Sequence, residues 1–237
     1  ETTNRIKTSS ILLVLASGCM WGCMGLVVRP LNETGLVTMD ICFLRSFITF
    51  VVMLVGLLIF DRSALKIRVK DIWCFIGTGA LSVSFFNFCY FKTITLTSLS
   101  VAAVLLYTAP AFVMIMSFFL FKDDMTKKKV AALVIAFMGC VLVSGVAGGG
   151  GTLNAKGLLV GLGAGFGYAL YSIFGRYALQ RGYNSMTITF YTFVFATLAT
   201  VFMADVSSII NIVETRPGLS VYAAFMILVV TLFPYLC

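Results

Sequence analysis

The sequence predicts an all-α integral membrane protein, an inverted repeat of two five-helix units. On this reading eight helices are present and helices 9 and 10 lie beyond Cys237. Three observations carry it. Sixty per cent of the 237 residues are hydrophobic and 11% are charged, against about 25% charged in an ordinary soluble domain. The apolar residues fall in eight continuous runs, each near the roughly 20 residues needed to cross a bilayer. And the sequence, displaced by 147 positions, lies over itself without a gap.

The runs are 11–28, 39–60, 72–91, 98–121, 130–146, 157–177, 186–204 and 219–237. They are continuously apolar rather than alternating, which predicts helices and not a barrel. Many similar runs follow the first one, and no small-residue cleavage site stands out after it, so it does not read as a signal peptide. The loops are short. With the N-terminus cytoplasmic, twelve basic residues fall inside and four outside (Arg29, Lys92, Lys156 and Arg216), with Arg45 within a run. This is a positive-inside pattern. It explains the net charge of +8 without nucleic acid.

In the displaced alignment Leu12 falls on Leu159, Gly18 on Gly165, Arg29 on Arg176, Met39 on Met186 and Phe86 on Phe233. Trp21 falls on Tyr168 and Asn87 on Pro234. The division expected is 1–147 for the first repeat, 148–156 for a Gly-rich external linker and 157–237 for an incomplete second repeat. Cys237 falls on Tyr90, so a second unit of equal length continues for about another 57 residues. An odd number of helices per unit inverts the second unit, as in many transporters.

Several local features point to a known family. They are Trp21-Gly22 with Arg29 after it, Arg45, and the stretch from Ala102 to Pro110. Gly139 followed by the Gly-rich loop, then Lys156-Gly157, complete the set. Through them the chain resembles, over its whole length, the EamA family of the drug/metabolite transporter superfamily. One departure is Lys122-Asp123-Asp124, where family members often carry a Glu. The resemblance implies a ten-helix secondary transporter of the plasma (inner) membrane. Such proteins are usually exporters of amino acids or other small metabolites, with the pathway between the halves. A channel or a multidrug efflux protein of the same fold is the alternative.

Candidate residues follow from what is unusual inside an apolar run. Pro110 lacks an N–H and tends to bend its helix, as does Pro234, so both are candidate gating or kink positions. Asn87 is an amide that must find a partner in lipid, either another helix or a solute. Tyr90 lies one turn later on the same face. Trp21, Tyr107, Tyr168 and Tyr171 are candidate cavity aromatics, since a tyrosine hydroxyl away from the interface needs a partner. Arg45 reads as a carboxylate ligand, as an interface-seeking side chain or as a tie between helices. Gly18, Gly22, Gly157, Gly161 and Gly165 are small residues at helical spacing, expected at helix contacts.

Seven cysteines lie in or beside apolar runs, and the chain has no His. No metal or other cofactor is expected. No Asp or Glu lies deep in a run, so the sequence offers no proton relay of the kind pumps use. An intramembrane enzyme would need a nucleophile, base or metal site, and none is visible. The partners expected are a small-molecule substrate and the lipid bilayer. The oligomeric state stays open, with a monomer as one reading.

Overall fold

The computed structural model describes residues 19, 37–143 and 155–215. Trp21, Gly18, Gly22 and, apart from Cys19, the run at 11–28 lie outside these residues, as do positions 148–154 of the expected Gly-rich linker, Pro234 and the run at 219–237. The fold is all-α and multi-pass. Among the described residues there are seven helices: α1 (Thr38–Phe60), α2 (Val69–Leu96), α3 (Leu99–Phe121), α4 (Lys127–Val143), α5 (Ala155–Gln180), α6 (Ser185–Thr200) and α7 (Val206–Thr215).

This corrects the expectation of eight membrane-crossing helices in a five-plus-five inverted repeat. Four of the described helices, α1, α2, α3 and α5, are long and apolar enough to cross a membrane. The run at 186–204 stops being helical at Thr200. Its 16 residues reach about 24 Å at 1.5 Å per residue, short of a hydrocarbon core of about 30 Å. The α4 helix has 17 residues and opens on three lysines. A further helix, α7, occupies a segment read as a connection. Nor do the helices group five and five. The chain folds as two compact units with boundaries at Ile67/Arg68 and Tyr183/Asn184, so α1, α6 and α7 belong to one and α2–α5 to the other. Hydropathy averages over a window and cannot see where local hydrogen bonds end a helix. Here the Met203 and Ala204 amides both donate to the Thr200 carbonyl, each at 3.0 Å, closing a turn. The Asp205 carboxylate then accepts from the Ser207 and Ser208 amides at the start of α7.

In the α1/α6/α7 unit, Met53, Leu57, Ala64, Phe190 and Phe193 form a buried core, with Phe50 and Tyr191 packed against it. Polar contacts set the register. The Thr187 hydroxyl donates to the Ala64 carbonyl (2.9 Å) and the Tyr191 hydroxyl to the Leu65 carbonyl (2.7 Å). Asp40 is buried in the first turn of α1, where a negative charge suits the helix dipole. Its carboxylate accepts from the Val37 amide (3.0 Å) and from the Asp205 amide (2.8 Å).

In the α2–α5 unit, α5 is the central helix, packed by α2 on one side and α3 on another. The α2 helix is π-helical from Gly77 to Ser84. Just beyond, α2 and α5 come into backbone contact. A Cβ on Gly167 would stand 2.9 Å from the Phe85 ring and 3.1 Å from the Phe86 amide nitrogen. The Ser82 hydroxyl donates to the Gly167 carbonyl at 2.8 Å, a bond that such proximity allows. Gly157, Gly161 and Gly165 line another side of α5, meeting Thr97, Leu105 and Thr108 respectively.

Two glycines and one carboxylate give measurable stability outcomes. Gly167→Ala should cost about 1–3 kcal/mol, because backbone atoms cannot make room. Gly175→Ala, with nothing within 4 Å of the added atom, should be neutral or gain up to about 1 kcal/mol. Asp40→Ala should cost about 1–3 kcal/mol, since it takes the carboxylate acceptor from two amides. Thermal melting of the purified protein in detergent reads all three changes.

Candidate functional site

The site begins with a break in α3. The chain is helical from Leu99 to Leu106 and again from Ala109 to Phe121, with Tyr107 and Thr108 between. Pro110 stands in the first turn of the second half. There its missing N–H costs nothing, because the first amides of a helix lack intrahelical partners anyway. Thr108 repairs the break from both sides. Its hydroxyl and its amide donate to the Leu105 carbonyl, at 2.6 and 3.1 Å, and its own carbonyl accepts from Ala111 (2.9 Å) and Phe112 (3.2 Å). Gly165 faces the repaired turn, where a Cβ would stand 3.0 Å from the Leu105 oxygen.

The second half of α3 borders a cavity of about 710 Å³ that it shares with α4 and α5. Each helix contributes one face. From α3 come Pro110, Val113, Met114 and Ser117; from α5, Tyr168, Ser172 and Arg176; from α4, chiefly Ala132, Leu133, Ala136 and Phe137. These spacings of three and four residues are those of a single helical stripe. Tyr107 and Tyr168 mark one end of the cavity. Asp123, Asp124, Lys129 and Arg176 mark the other. The middle is apolar apart from two serines. Tyr168 and Arg176, eight residues apart, are separated by about 12 Å along α5.

The charged end is built on a left-handed residue. Lys122 has φ 56°, the one positive φ outside glycine among the described residues. Its amide donates to the Ser117 carbonyl and ends α3. That turn carries Asp123 to Arg176, and the two groups pair through both oxygens and both terminal nitrogens. Arg176 Nη2 to Asp123 Oδ1 is 2.9 Å, and Nη1 bonds Oδ2. The guanidinium also lies over the Phe121 ring, 4.1 Å from its centre. The hydrogen bond from Arg176 holds the Asp123 carboxyl below the usual carboxylate range, with Lys129 adding to the effect. A second charged cluster lies at the α2 N-terminus. Asp71 pairs with Arg68 and Arg181, both at 3.0 Å, and accepts from the Tyr183 hydroxyl at 2.7 Å.

Of the residues singled out in the sequence, Tyr107, Pro110 and Tyr168 line the cavity. Phe86 bridges Tyr90 and Tyr168, with ring centres at 5.6 and 5.7 Å. Asn87 is buried, and its amide donates to the Val83 carbonyl of its own helix at 2.8 Å. Tyr171 is half-buried on α5 and is not among the lining residues. Arg45 is half-buried on α1, in the other compact unit. Ser117, Asp123, Ser172 and Arg176 were not legible as site residues. Ser172 and Arg176 follow Tyr168 at four and eight residues, which is the signal that would have found them.

The Asp123–Arg176 pair implies a pH dependence. A carboxyl whose folded pKa is depressed stabilises the fold fully above its unfolded value, about 3.9, and loses that contribution as pH falls through the folded value. The melting temperatures of the native protein and of Asp123→Asn should therefore differ by a constant amount from about pH 5 upward. The difference should shrink as the pH is taken below about 4.

Residues 8–145, more than half of the chain, match the model of the EamA-like transporter family. An uncharacterized transporter of Archaeoglobus fulgidus is 29% identical over 124 residues, which is 52% of this chain. The chain spans 43% of that relative's length. In three dimensions the fold is similar to a crystal structure described simply as that of a protein. The TM-score is 0.62 and the identity 19%, over 97% of this chain and 83% of the other. The chain belongs to the EamA-like transporter family, a family of transporters and not of enzymes.

Proposed function

We propose that the protein is a secondary transporter, an exporter, that carries a small metabolite such as an amino acid across the plasma membrane by alternating access. The observation that carries this reading is the broken α3 opening onto the cavity. Discontinuous membrane helices are where transporters bind their solutes. A cavity of about 710 Å³ falls within the roughly 300–1,000 Å³ of small-molecule sites. Its apolar wall with polar groups at each end suits a small amphipathic solute. Pro110 and Thr108 let the two halves of α3 change their angle without opening a regular helix. Tyr90, Tyr107 and Tyr168 form the aromatic end of the path.

The charged end faces the cytoplasm in this reading. In the α2–α5 unit Arg68, Lys70, Lys122, Lys127, Lys128, Lys129, Arg176 and Arg181 gather where α2 begins and α3 ends, against Lys92 and Lys156 at the opposite ends of the helices. A cytoplasmic excess of Lys and Arg is the usual orientation signal, and it supports the reading in which the N-terminus is cytoplasmic.

The test is transport by reconstituted protein. Proteoliposomes loaded with a mixture of labelled amino acids should release at least one of them faster than empty liposomes. Ser172→Trp, on an exposed position of the cavity wall, should cut that release about tenfold or more while the melting temperature holds. No protein-dependent movement of any amino acid would remove them as the solute class. Unchanged transport by S172W would remove the cavity as the path.

A further inference from the structure

Arg176 and Lys129 are the two cations lining the cavity, and they are held differently. The Lys129 ammonium donates to the Asp124 carbonyl of the loop that precedes α4, at 3.1 Å. Arg176 projects from the same stripe of α5 as Tyr168 and Ser172. Its plane is fixed by the Phe121 ring beneath it, and both terminal nitrogens are turned to one carboxylate. A guanidinium presented flat, with two parallel donors, is the recognition geometry for a carboxylate.

The carboxylate now in that place is loosely mounted. Asp123 lies beyond the end of α3, and its amide reaches the Ser117 carbonyl at 3.4 Å, a long bond. Both side chains of the pair are 38% exposed, so each can exchange its partner through water. An exposed pair of this kind contributes little to stability. Losing it to an incoming anion therefore costs the fold little.

We propose that Arg176 is the anion-recognising group of the cavity, and that Asp123 is an internal stand-in which a solute carboxylate displaces. The solute is then a carboxylate with an apolar body, its head on Arg176 and its body along Val113 and Leu133 toward Tyr168. The inference rests on the cavity being the solute's path, and it adds the chemical class of the solute and a residue that selects it. Asp123 acts through Arg176, as a competitor, and is not itself a ligand of the solute.

The opposite effects expected at the two partners make the test. Binding of 3-phenylpropionate to the purified 237-residue chain is measured by calorimetry, beside 3-phenylpropan-1-ol and 3-phenylpropylammonium. The carboxylate should bind best. Asp123→Asn should tighten it several-fold, because the internal competitor is gone. Arg176→Gln should weaken it about tenfold or more, and the double variant should match Arg176→Gln. Arg176→Lys keeps the charge without the fork; it should fall between and serves if Arg176→Gln does not fold. Equal binding of the alcohol overturns the proposal. So does weaker or unchanged carboxylate binding by Asp123→Asn, which is what a purely structural latch gives. The measurement needs no transport. A failed binding pattern with intact amino acid release strikes this inference alone, and the reverse result strikes the transport reading.

Discussion

Inside a bilayer no water is at hand for a backbone group that loses its partner, and each one left bare costs several kcal/mol. The α3 helix nevertheless breaks in the middle of a 23-residue apolar span. Thr108 makes this possible by placing its hydroxyl and its amide on the same carbonyl, that of Leu105. Pro110 then begins the second half at a position where its lack of an N–H is harmless. The turn so formed needs room on its inner side, and Gly165 leaves it by having no side chain. From that break follow the direction of the second half, the stripe from Pro110 to Ser117, and the cavity it walls.

The same constraint governs the other polar residues of the helices. Thr49, Thr93, Thr192 and Thr200 are buried, and each returns its hydroxyl to the carbonyl four residues back. Asn87 does the same with its amide. These groups satisfy themselves within one helix and leave packing to apolar and small residues, as expected where lipid provides no hydrophobic drive between helices. Bonds from one helix to another are fewer and more informative. Ser82 to Gly167 fixes α2 on α5 beside their backbone contact, and Thr187 with Tyr191 fixes α6 on the turn after α1. In the α2–α5 unit Asp123 receives Arg176 from the C-terminal part of α5, and Asp71 receives Arg181 from just beyond the end of that helix. One helix thus carries the glycines of the contact, the tyrosine and serine of the cavity wall and the arginine that meets Asp123.

Much of this was legible in the sequence, and for physical reasons. Membrane class, helical content and family follow from apolar composition, run length and the stretch from Ala102 to Pro110, all of them local properties. Tyr107, Pro110 and Tyr168 could be named because each is an anomaly within an apolar run. The inverted five-plus-five arrangement was the error. It extended a real self-similarity of sequence into an architecture, whereas the described helices cluster across that boundary. The end of α6 at Thr200 and the cap of α7 at Asp205 escaped notice because a window of hydropathy passes over a turn and a cap.

The sequence by itself determined the solvent of this protein, the existence of most of its helices and the place where α3 must break. Each is settled by residues close together in the chain: a run of apolar side chains, or a proline behind a threonine. Only the tertiary structure decided which helices share a unit, and that Asp123 meets Arg176, 53 positions further along the chain. Such a pairing depends on a left-handed turn at Lys122 and on the rotation of α5. Neither is encoded in the spacing of the two residues, because the place of α5 is set by its packing on α2 and α3, closest at the glycines from Gly157 to Gly167.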